Sequence, residues 1–302
     1  MTHPPELSDL LHRALEPRLK ELLKRCGVSG WQEDPESLHQ VRIASRRVRA
    51  VLDLVDPELY PGFKKHKSHL RRLTRALGLT RELDVHAIAL EALKDRQPEP
   101  LRSATAEHLL ERVERKCRKA RETMNRELEK ISLKDLDRML EAPSGPAPRV
   151  LAELPRAVWN CLEPWIRAVE EPLPPLLNQE NVTGLHQLRI QVKRLRYTLE
   201  ILEAAFPAPL EDWLQRLKVL QTVLGQHHDQ AVLEAFLWGV HATLTTHQRL
   251  ALASGVLDLL GSVAEERRAH FEHFRTLGHE HRDAVLFFHL KQALDKPPGV
   301  FE

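Results

Sequence analysis

The sequence predicts an all-α protein built by internal duplication. Aromatic residues make up only 5% of the chain against 42% apolar residues overall. The core must therefore come mainly from Leu, Val, Ala and Ile, which favours helix packed on helix. Apolar residues recur at helical spacing through most of the chain. The stretch LHQVRIASRRVRAVLDLV, Leu38 to Val55, also returns as LHQLRIQVKRLRYTLEIL, Leu185 to Leu202.

Each element has its own signals. Leu7, Leu11, Leu15, Leu19 and Leu22 form one stripe of a first helix that ends at Gly27. Asp34 or Ser37 offers an N-cap for the second, with Pro35 just inside. DPELYPGF breaks that helix, KKHKSHLRRLTRALG makes a third, and Glu82 to about Lys94 a fourth. After RQPEP a long charged helix runs from about Leu101 to Lys130. The stretch EAPSGPAPR, Glu141 to Arg149, has three prolines and no apolar pattern, so it reads as a linker. It gives a first half over 1–142, a linker over 143–149 and a second half over 150–302. The second half repeats the order. A leading helix spans Val150 to Glu170, and a Pro-rich break precedes the basic helix from Thr183. Further helices cover Leu210 to Gly225, Asp229 to Thr245 and Gln248 to Leu277, with a last one after His281.

Register tests the duplication. Leu38 and Leu185 are 147 residues apart, and the same offset brings Arg49 to Arg196, Arg71 to Lys218 and Leu77-Gly78 to Leu224-Gly225. It also brings Glu82 to Asp229 and Val85 to Val232, with no gap. This is an internal repeat.

On a helical projection His39, Arg42, Arg46 and Arg49 fall within an arc of about 80° and form a column about 15 Å long. Val41, Ala44, Val48, Val51 and Val55 back it. The second copy repeats the column as His186, Arg189, Lys193 and Arg196, backed by Leu188, Val192, Leu195 and Leu199. Arg47 and Arg194 correspond beside the stripes. Like charges at such spacing repel by a few tenths of a kcal/mol per contact, and an ordinary solvated face alternates signs instead. The third helix adds Lys64, Lys65, Lys67, Arg71, Arg72 and Arg75 without an acid between them. Net charge is nevertheless only +2, so charge is sorted along the chain. The arginine fork matches phosphate oxygens and stays charged at any cellular pH. A chain of phosphates is the natural complement.

Other chemistries find less support. Cys26, Cys117 and Cys161 are far apart and make neither a disulfide framework nor a metal motif, as expected in a reducing compartment. No signal peptide and no membrane-spanning run is apparent, so the expectation is a soluble cytoplasmic protein with no membrane partner. His227 and His228 point about 100° apart on a helix and cannot easily share one ion. His270 and His273 have a possible ligand spacing, but also read as cations near a helix end. No metal and no cofactor is expected. His39 and His186 lack a partnered nucleophile, which argues for donation to phosphate and against catalysis. Nucleic-acid backbone binding is an alternative, but bases would want aromatic stacking partners and only Tyr197 is near. An enzyme acting on phosphoanhydrides would need carboxylates facing the stripe, and the stripes have none.

The two basic stretches, followed by LRRLTRALGLTRELDVHAI and LKVLQTVLGQHHDQAVL, resemble the CHAD family, the conserved histidine α-helical domain. The resemblance covers nearly the whole chain. It implies two four-helix bundles related by a pseudo-twofold axis, with basic faces lining a central groove that binds inorganic polyphosphate. It also implies association with polyphosphate granules and their proteins. Carried over by position, the ligand-facing set is His39, Arg42, Arg46, Arg49, His186, Arg189, Lys193 and Arg196, then Arg47, Arg194, Arg71, Arg75 and Lys218. The family's Arg-Asp after a Leu-Gly turn is here Arg81-Glu82 and His228-Asp229, whose acids are expected to hold arginines in place. Arg75 corresponds to Thr222 and Lys67 to Leu214, so more charge is expected on the first-half wall. The Glu-x-Glu-x-Lys signature of the triphosphate-tunnel domain fused to many relatives is absent, which suggests a standalone binding module without enzymatic activity.

Overall fold

The computed structural model describes residues 7–54, 61–95, 100–138, 178–203 and 210–280, with side chains for most of them. Among the described residues there are helices and no strands. They are α1 (Leu7–Cys26), α2 (Pro35–Leu54), α3 (Pro61–Asp95), α4 (Pro100–Leu128), α5 (Leu133–Asp137), α6 (Val182–Leu202), α7 (Glu211–Thr246) and α8 (Leu250–Glu280).

Local chemistry sets the starts of the two repeated helices. Asp34 accepts from the Ser37 amide at 2.7 Å, so it, not Ser37, caps α2. At the corresponding place Asn181 caps α6 by accepting from the Gly184 amide at 2.9 Å. α1 ends at Cys26, and the left-handed turn residue lies further on, at Gly30 with φ 74°.

Two pairs of predicted helices are fused. The third and fourth form one 35-residue helix, α3, and the segments split at Gly225 form one 36-residue helix, α7. Gly78 and Gly225 therefore lie inside helices, and no turn follows Leu77 or Leu224. A helical glycine costs about 1 kcal/mol, which tertiary contacts offset readily. Here buried Leu77 and Leu224 beside the glycines, with Leu83 and Leu233 one or two turns on, anchor each helix on both sides. The linker, the helix over 150–170, the one after His281, Val55 and the DPELY part of the break lie outside the described residues, while Pro61, Gly62 and Phe63 of that break already belong to α3.

The element order recurs. α2, α3 and α4 have 20, 35 and 29 residues, and α6, α7 and α8 have 21, 36 and 31. Two core clusters can be followed among the described residues, and Leu188, Val192, Leu195, Leu220 and Phe274 are buried outside both. One packs Leu15, Leu19 and Leu22 of α1 on Val41, Val48 and Val51 of α2 and on Leu70, Leu73 and Leu77 of α3. The other joins Leu90, Leu109 and Val113 of α3 and α4 to Leu237, Val256 and Val263 of α7 and α8. This second cluster draws on both halves of the chain, which share an interior. At its edge α8 comes so close to α4 that a Cβ on Gly255 would fall 2.1 Å from Thr105 Oγ1. Only glycine permits that approach.

Candidate functional site

The apolar backs of the two stripes are buried as the pattern predicts: Val41, Ala44, Val48 and Val51 on α2, and Leu188, Val192, Leu195 and Leu199 on α6. α2 and α6 touch, and their cations meet. Lys193 feels, besides its own loss of hydration, the charges of Arg46, Arg189, Arg42 and Arg49, which together push it down to about 7. Burial, with Arg46, Arg189 and Arg81 close by, lowers Arg42 to about 10. Arg46 is lowered by burial too, and it donates a hydrogen bond to Tyr197 of α6. Such a concentration of like charge is costly unless an anion joins it.

The histidines stand at the rim of this cluster. His39 is depressed by burial and then by Arg81, Arg42 and Arg46. His186 packs against His228 of α7, ring centres 4.1 Å apart. Burial and then Arg189 hold His228 near about 4. The pairs correspond, since His39 with Arg81 in one half matches His186 with His228 in the other. Nδ1 of His39, His186 and His228 and Nε of Arg42 are buried without a hydrogen-bond partner in the protein. Buried donors of this kind are normally satisfied, so four together mark where acceptor oxygens fit.

One carboxylate enters the cluster. Asp229 lies 4.0 Å from Arg189, and its titration is raised by burial against the pull of Arg189, Arg81 and Arg42. It is an internal residue of α7, so it caps no helix, and Arg189 is the arginine it pairs with. The Arg189 guanidinium packs on α7 beside Gly225, one turn before, with Nε 3.6 Å from where a Cβ would be, an ordinary contact distance. Glu82, the expected counterpart of Asp229, is exposed and makes no ion pair among the described residues. The acid that holds an arginine there is Asp84, buried and 2.8 Å from Arg121 of α4.

Not every predicted base joins the cluster. Arg196 is 12% exposed and is claimed by Glu200 one turn on, by Gln221 at 2.9 Å and by the Tyr197 ring at 4.7 Å. Arg47 reaches the same Glu200 at 3.5 Å. Arg47, Arg196 and Lys218 line a separate cleft of about 680 Å³ in which Glu200, Glu203, Glu211 and Asp212 balance them. Arg49 has Asp53 at 3.8 Å, yet still acts on Lys193. Arg71, Arg75 and Arg194 are exposed. Helical spacing turns Arg71 and Arg75 toward the face of Glu82, about 100° from Arg81. Lys67 is tied to Asp53 at 2.6 Å. Arg81, rather than the run before it, is the α3 base that acts on His39 and Arg42.

Arg81 and His228 are the residues that the ligand-facing set omits. The 147-residue offset pairs them, and treating them as departures from a motif hid that both stand beside the helix-opening histidine. His227 turns the other way and is buried against Phe271. Among the described residues no three His, Cys, Asp or Glu side chains gather as a metal site. The cluster offers a row of N–H donors from four helices, which suits oxyanions in series.

Comparisons with known proteins bear on this arrangement. The family model described as CHAD domain matches residues 13–238. Uncharacterized proteins from two Mycobacterium tuberculosis strains are 26% identical over 254 residues, 76% of this chain, and the match spans 45% of their length. The crystal structure of the CHAD domain from the plant Ricinus communis superposes with a TM-score of 0.64 at 19% identity, covering 93% of this chain and 94% of that one. PptA from Streptomyces chartreusis does so with 0.63 at 18% identity, covering 90% and 99%.

Proposed function

Because the chain belongs to the CHAD domain family, we propose that it binds inorganic polyphosphate, without catalysis, along a central groove between α2 and α6. The observation that carries this is the meeting of Arg42, Arg46, Arg189 and Lys193, with Arg49 and Arg81 close by, around one carboxylate, Asp229. A phosphate chain supplies anionic oxygens at short, regular intervals. It would satisfy the orphaned nitrogens of Arg42, His39, His186 and His228 and restore charge to Lys193. Counterion release adds a driving force, so affinity falls steeply with salt. The recurrence of α2–α4 as α6–α8 supports a pseudo-twofold pair of four-helix bundles, with the groove near their axis. A cytoplasmic place at polyphosphate granules, alongside other granule proteins, completes the proposal; among the described residues no helix is long and apolar enough to cross a membrane.

The test reverses one charge on each wall. The double variant Arg46→Glu, Lys193→Glu should lose retention on a polyphosphate resin while its circular dichroism stays helical. Retention equal to the parent's would refute the groove. Competition by single-stranded RNA at equal phosphate concentration separates the alternative, since efficient displacement would make nucleic acid the better ligand. Release of phosphate from polyphosphate with magnesium or manganese would show catalysis.

A further inference from the structure

A second concentration of positive charge lies outside the repeated stripes. His108, Arg112, Arg115 and Lys119 of α4 occupy an arc of about 60° on that helix, a column about 16 Å long. Arg118 and Lys116 flank it, and Arg249, from the turn between α7 and α8, faces it across a cleft of about 710 Å³. His247 is the remaining titratable group on that wall, and Glu122 is the single carboxylate lining the cleft.

Neighbouring acids do little to balance this wall. Arg115 has Glu111 at 3.8 Å, an exposed pair worth little. Lys116 lies over the Phe236 ring at 5.0 Å, which leaves its charge uncompensated. Arg112, Arg118, Lys119 and Arg249 make no ion pair among the described residues. The last carbonyls of α7 do not offset them. Those of Thr243, Leu244 and Thr245 accept from the amides of His247, Arg249 and Gln248. The N-terminus of the 31-residue α8 opens beside Arg249 and adds to the positive potential.

This column is no copy of the repeated one. The 147-residue offset places Gly255, Leu259, Ser262 and Glu266 against His108, Arg112, Arg115 and Lys119. It is also remote. Thr243 is fourteen residues beyond Asp229 on the same helix, about 21 Å along its axis.

We propose that the cleft between α4 and the α7–α8 turn is a second oligophosphate site, loaded independently of the α2–α6 cluster. The basic wall of α4 and Arg249 opposite converge on a space large enough for several phosphates, and the fork of Arg112 or Arg118 can take oxygens of adjacent groups. The inference does not rest on the groove, because neither set of residues contributes to the other.

Calorimetry with tripolyphosphate tests it. The parent should bind two molecules per chain, and Arg112→Glu, Lys119→Glu should bind one. Arg46→Glu, Lys193→Glu should also keep one, and the fourfold variant none. If the cleft pair leaves stoichiometry and affinity unchanged in both backgrounds, the second site is refuted. If only the groove pair leaves them unchanged, it is the groove that fails and the cleft stands. Should the charge-reversed cleft fail to fold, Arg112→Gln, Lys119→Gln asks the same question, with at least tenfold weaker binding expected in the Arg46→Glu, Lys193→Glu background and unchanged binding refuting the site. In that background, displacement of tripolyphosphate by a single-stranded oligonucleotide at lower phosphate concentration would overturn the assignment to polyphosphate.

Discussion

The two flanks of the same pair of helices make opposite use of arginine. On one flank Arg42, Arg46, Arg189 and Lys193 crowd together with Asp229 as the acid among the described residues, and burial disfavours the protonated forms of Arg42, Arg46 and Lys193. On the other, Arg47 and Arg196 converge on Glu200, with Arg18 donating to the Glu200 carbonyl at 2.9 Å. The second arrangement is complete within the protein, whereas the first leaves cations that the proposed phosphate chain would complete. A base in a repeated motif is therefore no proof of a ligand contact. What decides is whether a carboxylate of the fold reaches it first.

The sharpest way to break the comparison is to reverse charge on each flank in turn. Arg46→Glu, Lys193→Glu should weaken polyphosphate binding by a hundredfold or more, and Arg47→Glu, Lys218→Glu by no more than about threefold, judged by calorimetry at fixed salt. Equal losses would show that the flanks are not distinct.

Stability should respond the other way. Glu200→Ala strands Arg196 and Arg47, and thermal unfolding should report a loss of about 3 kcal/mol with affinity nearly unchanged. Lys193→Met should instead stabilise the unliganded protein by about 1–3 kcal/mol at pH 6, because it deletes an uncompensated charge.

pH offers a subtler probe of the same lysine. Its value is about 7 in the folded protein and near 10.5 unfolded. Below pH 7 both states hold the proton, so this group adds no pH dependence. From 7 toward 10.5 the unfolded chain binds a proton the folded one has released, so stability of the free protein rises. Bound phosphate favours the charged lysine, so affinity falls over the same rise. Arg42, at about 10, stays charged through pH 8, and His186 and His228, already depressed, are neutral there. Parallel slopes for stability and affinity between pH 6.5 and 8.5 would contradict this. The smallest effect is expected from Asp53→Ala. Freeing Arg49 and Lys67 should tighten binding by about twofold to threefold at low salt, and no change would mean that both already reach the ligand.

Much of this was legible in one dimension. Helical periodicity located α1, α2, α4 and α6, but Asp34 had an equal rival in Ser37 as the first cap, and Asn181 emerged as the second only from the structure. The long helices were harder. Gly78 and Gly225 look like stops, but burial of Leu77, Leu83, Leu224 and Leu233 outweighs the intrinsic cost of glycine. Arg196 shows the same limit in the site. Its place on the stripe is right, but Glu200 at i+4 and Gln221 from another helix capture it.

The sequence by itself determined that the chain is helical, that it is written twice at an offset of 147 residues, and that each copy opens a basic column with histidine. Those are matters of spacing along one helix, where 3.6 residues per turn fixes which side chains share a face. Only the tertiary structure decided which cations the fold holds, because Asp229 reaches Arg189 and Asp53 reaches Lys67 across helices, and Glu200 gathers Arg47 of α2 beside Arg196 of its own helix. Asp229, Glu200 and Asp53 made that choice, and Arg81 and His228 joined the cluster through packing that no local pattern encodes.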